Sequence, residues 1–394
     1  MRTLDWQRQT YLNGYLGQQL PVSPDWIKLE ARATAAMTPE AAAYIGGGAG
    51  LQKTIERNRT GFDHWQIVPR MLVNVESEQP GITLFGHALP SPLLACPIGV
   101  LEMVHPEADV AVAKAAAELG VPYIFSNQAS VPMETCADAM GNSPRFFQLY
   151  WSRSRDLVLS FVRRAEACGC SAIVVTLDTT FLGWRVKDLD IAHLPFLWDK
   201  GIAQYTTDPV FRNIVSQMRA QLPADLTGLP TAEALTFSQI YNNPTLTWED
   251  LSFLREHTQL PILLKGILHP DDARKAVDAG MDGIVVSNHG GRQVDGSIST
   301  IEALPAIADA VRGQIPVLFD SGIRGGADMF KAIALGATAV CVGRPYVWGL
   351  TLAGQAGVRE VLQQLMNDFD LTMRLAGCRA VGDINRDCLA NAGF

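Results

Sequence analysis

The 394 residues are 48% hydrophobic and 18% charged, with a formal net charge of -8. Such a composition suits a well-packed soluble protein, and the acidic balance argues against a basic face for nucleic acid or anionic lipid. An anionic ligand must then be held by local cations.

The N-terminus, Met1-Arg2-Thr3-Leu4-Asp5-Trp6, lacks the apolar core of a signal peptide, and no run of about 18 uncharged apolar residues suggests a membrane span. The seven cysteines are scattered, with Cys168 and Cys170 as C-x-C and no metal spacing beside them. Reduced thiols in a cytoplasmic protein without a structural metal are expected.

Residues 1–90 read as mainly helical, with a short hairpin at Ile82–Ala88, and are expected to cover one end of the core built by the later residues. Beyond them, short apolar runs alternate with stretches of helical period. The runs are Pro92–Val100, Val121–Asn127, Arg145–Tyr150, Ala172–Asp178, Pro261–Gly266, Gly283–His289, Pro316–Gly322 and Ala339–Arg344. AIVVTLD, GIVVSNH and PVLFDSG are apolar on both faces, as buried parallel strands are. The segments between them are rich in helix formers, and several stop at glycine. Eight strand–helix units predict an α/β fold, a (β/α)8 TIM barrel over residues 91–354, within one domain. An open doubly wound sheet is the alternative. Residues 179–260, after the fourth strand, are far too many for an ordinary βα loop. They are expected to hold helices and to act as a lid over the strands' C-terminal ends. Residues 355–394 read as a helical tail, with an amphipathic helix over about Gln355–Ala376 closing the barrel.

In such barrels the chemistry sits where the strands end. Here the runs end in Ser126-Asn127, Gln148 and Tyr150, Thr176 and Asp178, Lys265, Ser287-Asn288-His289, Asp320 and Gly343-Arg344. The first ends in Pro97-Ile98-Gly99, which offers backbone without bulk, so a planar ring can lie close. Ser287-Asn288-His289-Gly290-Gly291-Arg292-Gln293 joins a candidate base, His289, to a candidate carboxylate fork, Arg292, across two glycines. A turn with a hydrogen-bonded histidine accounts for the same residues. Asp178 reads either as an orienting partner for His289 or as a helix N-cap. Arg185 reads as a second carboxylate cation or as a surface arginine. Lys265 suits a Schiff base or the stabilisation of negative charge on a reduced flavin. Asp320-Ser321-Gly322-Ile323-Arg324-Gly325-Gly326 and Gly343-Arg344 follow the seventh and eighth runs, where this fold commonly binds phosphate; glycine-rich amides with Arg324 and Arg344 suit a dianion.

These motifs resemble the FMN-dependent L-2-hydroxy acid oxidases and dehydrogenases: SNHGGRQ, LLKGI, FQLY, VVTLD and LFDSGIRGG...GRP, over about Tyr44 to Trp348. YIGGGAG, PRML, CPIGV, YTTDPVF, TWEDL and GRPYVWG resemble the lactate 2-monooxygenase branch most. The resemblance implies FMN as cofactor, and a small 2-hydroxy acid and O2 as partners. It makes His289 the base and Asp178 its partner, with Arg185 and Arg292 on the substrate carboxylate and Tyr44 and Tyr150 beside its carboxylate and hydroxyl. It puts Lys265 near flavin N1. Pro97, Ile98, Gly99, Ser126, Gln148, Thr176 and Ser287 fall to the ring or ribityl chain, and Asp320, Gly322, Arg324, Gly343 and Arg344 to the ribityl and phosphate end. It further implies a homotetramer or homo-octamer, a lid tyrosine at Tyr205 or Tyr241, and Asn127 and Gln128 along the side-chain pocket. Oxidation of L-lactate to acetate, carbon dioxide and water is the implied reaction; release of pyruvate and hydrogen peroxide, or electron transfer to a quinone or cytochrome, are the alternatives.

Overall fold

The computed structural model describes residues 3–76, 80–219 and 230–392. Eight parallel strands close into a barrel: Leu93–Ala95, Tyr123–Phe125, Arg145–Tyr150, Ile173–Thr176, Ile262–Ile267, Gly283–Val286, Val317–Phe319 and Ala339–Val342. The last pairs with the first, Cys341 opposite Leu94. Seven strands fall inside their apolar runs and the fifth ends one residue beyond its run, at Ile267; the runs are apolar because one face of each strand is buried in the barrel interior and the other under the outer helices. The inward face carries Leu94, Ile124, Phe146, Val174, Leu263, Val285, Leu318 and Ala339, packed as one cluster. The barrel is therefore filled, and binding is confined to its ends.

The N-terminal segment covers both ends of the barrel, where the sequence suggested one. Strands Ile82–Leu84 and His87–Leu89 form a hairpin that plugs the N-terminal end. Leu84 and Leu89 join the interior cluster, Phe85 meets the edge of Phe146 at 5.8 Å, and His87 bonds Ser171 at 2.7 Å. Helices Pro39–Gly46 and Lys53–Thr60 lie over the opposite rim, where Ala49 N donates to Gly291 O (2.9 Å) and Gly50 N to Trp184 O (2.8 Å). The chain runs from rim to plug through Trp65–Ile67, which is clamped by the tail strand Leu389–Asn391.

After the fourth strand come helices Val186–Asp190, Ala203–Thr206, Pro209–Arg219 and Ala232–Ile240. The later helix Asp250–His257 is the barrel's own fourth, so the inserted part is shorter than residues 179–260. Tyr205 anchors the insertion, its ring meeting Phe161 at 5.0 Å, Phe211 at 5.4 Å and Phe237 at 4.8 Å. The last helix, Arg344–Leu375, breaks at Ala353 and Gly354, where a side chain on Gly354 would strike the His105 ring at 2.9 Å. No described helix is long and apolar enough to cross a membrane.

Candidate active site

Side chains alternate along a strand, so the inward residue beyond the last core-filling one stands at the C-terminal rim. This places Ser126 above Ile124, Gln148 and Tyr150 above Phe146, Lys265 above Leu263, Asp320 above Leu318, and Gly343 above Cys341. All of them line one cavity, with Pro97, Ile98, Gly99, Tyr44, Arg185, His289, Arg292, Gly322, Arg324 and Arg344. Three expected residues stand behind its wall. Thr176 Oγ1 accepts from Gln148 Nε2 (3.0 Å), Ser287 Oγ accepts from Lys265 Nζ (2.9 Å), and Asp178 backs His289. Gln128 reaches the cavity, and its Nε2 is buried without a partner. Asn127 does not: it is buried beneath, its Oδ1 accepting from Tyr150 N (3.0 Å) and Tyr205 Oη (3.3 Å). Tyr241 packs against the Tyr150 ring at 5.3 Å, and neither Tyr205 nor Tyr241 is on the cavity wall.

His289 sits at φ 56°, followed by Gly290 at 64° and Gly291 at 76°. The left-handed conformation costs a non-glycine residue about 1–2 kcal/mol, and the neighbours fix it. Asn288 accepts from Gly291 N (3.1 Å) and exchanges amide bonds with Asn58, while a side chain on Gly291 would strike Ile55 at 2.8 Å. His289 Nδ1 lies 2.9 Å from Asp178 Oδ1, which also accepts from Thr179 Oγ1 (3.2 Å). Burial pushes the Asp178 carboxyl up, but His289, Lys265 and the two hydrogen bonds outweigh it and hold it below the usual range. Burial also dominates at His289 and lowers its pKa in spite of Asp178. The resting pair is thus a carboxylate and a neutral imidazole, with Nδ1–H given to Asp178 and Nε2 left as the basic nitrogen.

Arg185, Arg292, Arg324 and Arg344 also converge here, and none makes an ion pair among the described residues. Arg292 Nη1 donates to the carbonyls of Tyr44 and Gly47, and its guanidinium lies 4.9 Å over the Tyr44 ring. Arg185 Nη2 reaches Gln293 Oε1 at 3.4 Å, and its Nε is buried without a partner. Burial and the neighbouring Arg185 pull Arg292 down to about 10; burial, Arg292 and Arg324 pull Arg344 down to about 9. Four cations thus crowd one cavity in a chain whose net charge is -8. Lys265 differs: burial disfavours its charge, yet Asp320, 3.3 Å away, and Asp178 raise it above the ordinary lysine value.

The glycine-rich loop is wired differently from its sequence reading. The amides of Arg324 and Gly325 donate to Asp328 Oδ2 (2.8 and 3.2 Å), and Gly326 N donates to Asp368. The start of helix Gly326–Ala334 is thus capped by the protein's own carboxylates. Two functional contacts were missed from sequence. Ser321, at φ 78°, donates to Asp320 Oδ1 (2.6 Å) and accepts from Gly290 N (3.0 Å), tying the seventh strand to the histidine turn. Gln293 Nε2 donates to the Asp178 and Phe181 carbonyls (2.7 and 2.9 Å), fastening the strand end that carries Asp178. Its place in SNHGGRQ was the available signal.

Comparisons with known proteins agree with this geometry. The FMN-dependent dehydrogenase family model matches residues 33–391. The chain is 42% identical over 390 residues to FMN-dependent alpha-hydroxy acid dehydrogenase qulF of Penicillium citrinum, covering 99% of this chain and 96% of that protein. It is 43% identical over 340 residues to an L-lactate oxidase of Lysinibacillus sphaericus, covering 86% and 85%. A crystal structure of mandelate oxidase with (S)-4-hydroxymandelic acid superposes with TM-score 0.81 at 40% identity, covering 92% of this chain and 97% of that one. The chain belongs to the FMN-dependent dehydrogenase family and is an FMN-dependent 2-hydroxy acid oxidoreductase.

Proposed function

We propose that the chain oxidises a small L-2-hydroxy acid, L-lactate, with dioxygen, and converts the pyruvate while still bound to acetate, carbon dioxide and water. The observation that carries the reading is the set of four arginines without carboxylate partners among the described residues around one cavity. FMN and a substrate carboxylate together supply the missing anions. FMN fits the residues present: Arg324 and Arg344 suit its phosphate, with Gly322 and Gly343 leaving room beside them. Asp320, Ser126 and Gln148 offer polar partners to the ribityl chain and ring, with Thr176 holding Gln148 from behind and Ser287 holding Lys265. The side-chain-free edge at Gly99, with Pro97 and Ile98, lets the ring lie flat, and Lys265 supplies a fixed positive charge. When bound, FMN accepts the two electrons that leave the substrate and passes them to dioxygen.

The protein's own part is positioning and proton transfer. Arg292 and Arg185 hold the carboxylate, and the hydroxyls of Tyr44 and Tyr150 fix the hydroxyl end. Burial raises both phenols, Tyr150 to about 12, so they stay protonated donors. Two hydrogens leave as the C2–O bond becomes a carbonyl: His289 Nε2 takes one as a proton, and the other would go with the electron pair to the flavin. Asp178 then faces an imidazolium 2.9 Å away and stabilises it. Retention of pyruvate falls to the insertion after the fourth strand, acting as a lid. The L-lactate oxidase relative supports a second reading, in which pyruvate and hydrogen peroxide leave separately.

The acetate-to-pyruvate ratio from L-lactate, without catalase, separates the two; mostly acetate is expected, and stoichiometric peroxide with pyruvate removes the first reading. Gly99→Ala refines the test. Its methyl group would lie 3.0 Å from Cβ and O of Gln128, so it acts by displacing the Gln128 wall of the pocket. We expect it to shift the output toward pyruvate and peroxide.

A further inference from the structure

The cation at the far end of the cavity is held in an unusual way. Arg324 lacks a carboxylate partner among the described residues, its Nη1 donates only to the carbonyl of Ile323 (2.9 Å), and its Nε is buried without a partner. What fixes its guanidinium is two indoles, Trp348 at 4.8 Å and Trp26 at 5.7 Å. Trp348 belongs to the barrel, in the first turns of the helix after the eighth strand. Trp26 does not: it opens helix Trp26–Ala36, and it lies before residue 33, where the family match begins. On Trp26 rests a second cation, Arg59, at 5.2 Å, which also lies 5.6 Å from Phe62. Arg59 pairs with Asp328 at 2.8 Å and donates to the Gly322 carbonyl. Asp328 in turn receives the amides of Arg324 and Gly325. The order is indole, guanidinium, indole, guanidinium, phenyl: Trp348, Arg324, Trp26, Arg59, Phe62.

Ring faces attract a cation without using its N–H donors. An arginine positioned by carboxylates would have its donors spent and its charge cancelled. Stacking leaves Arg324 in place with its donors and its charge available.

We propose that Trp26 is a positioning residue for the cofactor: the N-terminal segment clasps the phosphate loop through the cation–π contacts of Trp26 with Arg324 and Arg59, and so slows the loss of FMN. The inference rests on Arg324 serving the phosphate, as proposed above. Trp26 touches no reacting group, so its effect is read in cofactor retention.

The test follows recovery of flavin fluorescence after dilution of the holoenzyme for the parent, Trp26→Leu, Trp26→Phe and Arg324→Met. Trp26→Leu keeps an apolar side chain at the first turn of a helix already capped by Asp25. It should release FMN about 10-fold faster, the scale of a lost cation–π contact. Trp26→Phe keeps a ring face and should stay within about 3-fold of the parent. Release rates for both Trp26 variants equal to the parent's, with Arg324→Met faster, overturn the clasp and leave the phosphate assignment standing. Parental release from Arg324→Met overturns that assignment and the clasp with it. Equal acceleration in Trp26→Leu and Trp26→Phe overturns the stacking account, because a packing role without cation–π character predicts no rescue by the smaller ring. If Trp26→Leu does not fold, the Trp26→Phe and Arg324→Met pair still decides, since a Phe variant releasing as fast as Arg324→Met contradicts the clasp.

Discussion

His289→Gln is expected to retain FMN and lose flavin reduction by about 10²-fold or more, the scale of a general base. The imidazole is placed at φ 56° by its turn, and Nδ1 is occupied by Asp178, so glutamine can keep the backbone but supplies no basic nitrogen. The measurement is anaerobic rapid mixing with L-lactate, monitored at the flavin band. A rate equal to the parent's would make His289 a structural residue. The direction of the pKa shift adds a pH test. Neutral His289 is the active form, and burial lowers its pKa below the ordinary 6.5. Reduction should therefore be at full rate at neutral pH and fall only as the pH drops through that lowered value. Asp178→Asn removes a charge that raises the pKa, so its acid limb should move further down. Its plateau should also be lower, because the imidazolium formed in the reaction loses its partner. An acid limb that moves up instead would show that Asp178 does not act electrostatically on His289.

The second large effect is expected at the carboxylate clamp. Arg292→Lys and Arg185→Lys each exchange a planar fork for a point charge. Oxalate, an anionic mimic of the reacting form, should bind each variant about 10- to 100-fold more weakly, as loss of a charge-assisted hydrogen bond predicts. Arg292 should be the more sensitive of the two. Its Nη1 is already committed to the Tyr44 and Gly47 carbonyls, so its fork is rigidly aimed, and lysine cannot satisfy both carbonyls and the ligand. Flavin perturbation spectra titrated with oxalate give the affinities. Unchanged affinity in both variants would remove the pair from the substrate site and leave the excess positive charge there unexplained.

The barrel was legible in the sequence because its strands are buried on both faces, which writes them as short, largely apolar runs with polar residues only near their ends. The rim residues were legible for a related reason. Period-two alternation brings Ser126, Gln148, Lys265 and Asp320 inward one step above the core, and a polar residue there has no packing role. His289, Arg292, Arg324 and Arg344 stood out because glycines adjoin them at strand ends. What the sequence could not carry was contact between segments far apart in the chain. Asp178 could be named as a partner for His289, but a helix N-cap stayed equally open until the closed ring brought the ends of the fourth and sixth strands, separated by the fifth, to one rim. That Asp328 and Asp368 take the amides of the glycine-rich loop depends on how helices Gly326–Ala334 and Arg344–Leu375 pack. That Asn127 lies beneath the pocket while Gln128 faces it continues the alternation that turns Ile124 and Ser126 inward, carried two residues past the end of the strand. The N-terminal segment shows the division most plainly. Its helices and hairpin follow from local patterning, but its crossing from the rim to the plugged end, and the approach of Trp26 to Arg324 almost 300 positions later, exist only once the barrel has closed and given each apolar face something to cover.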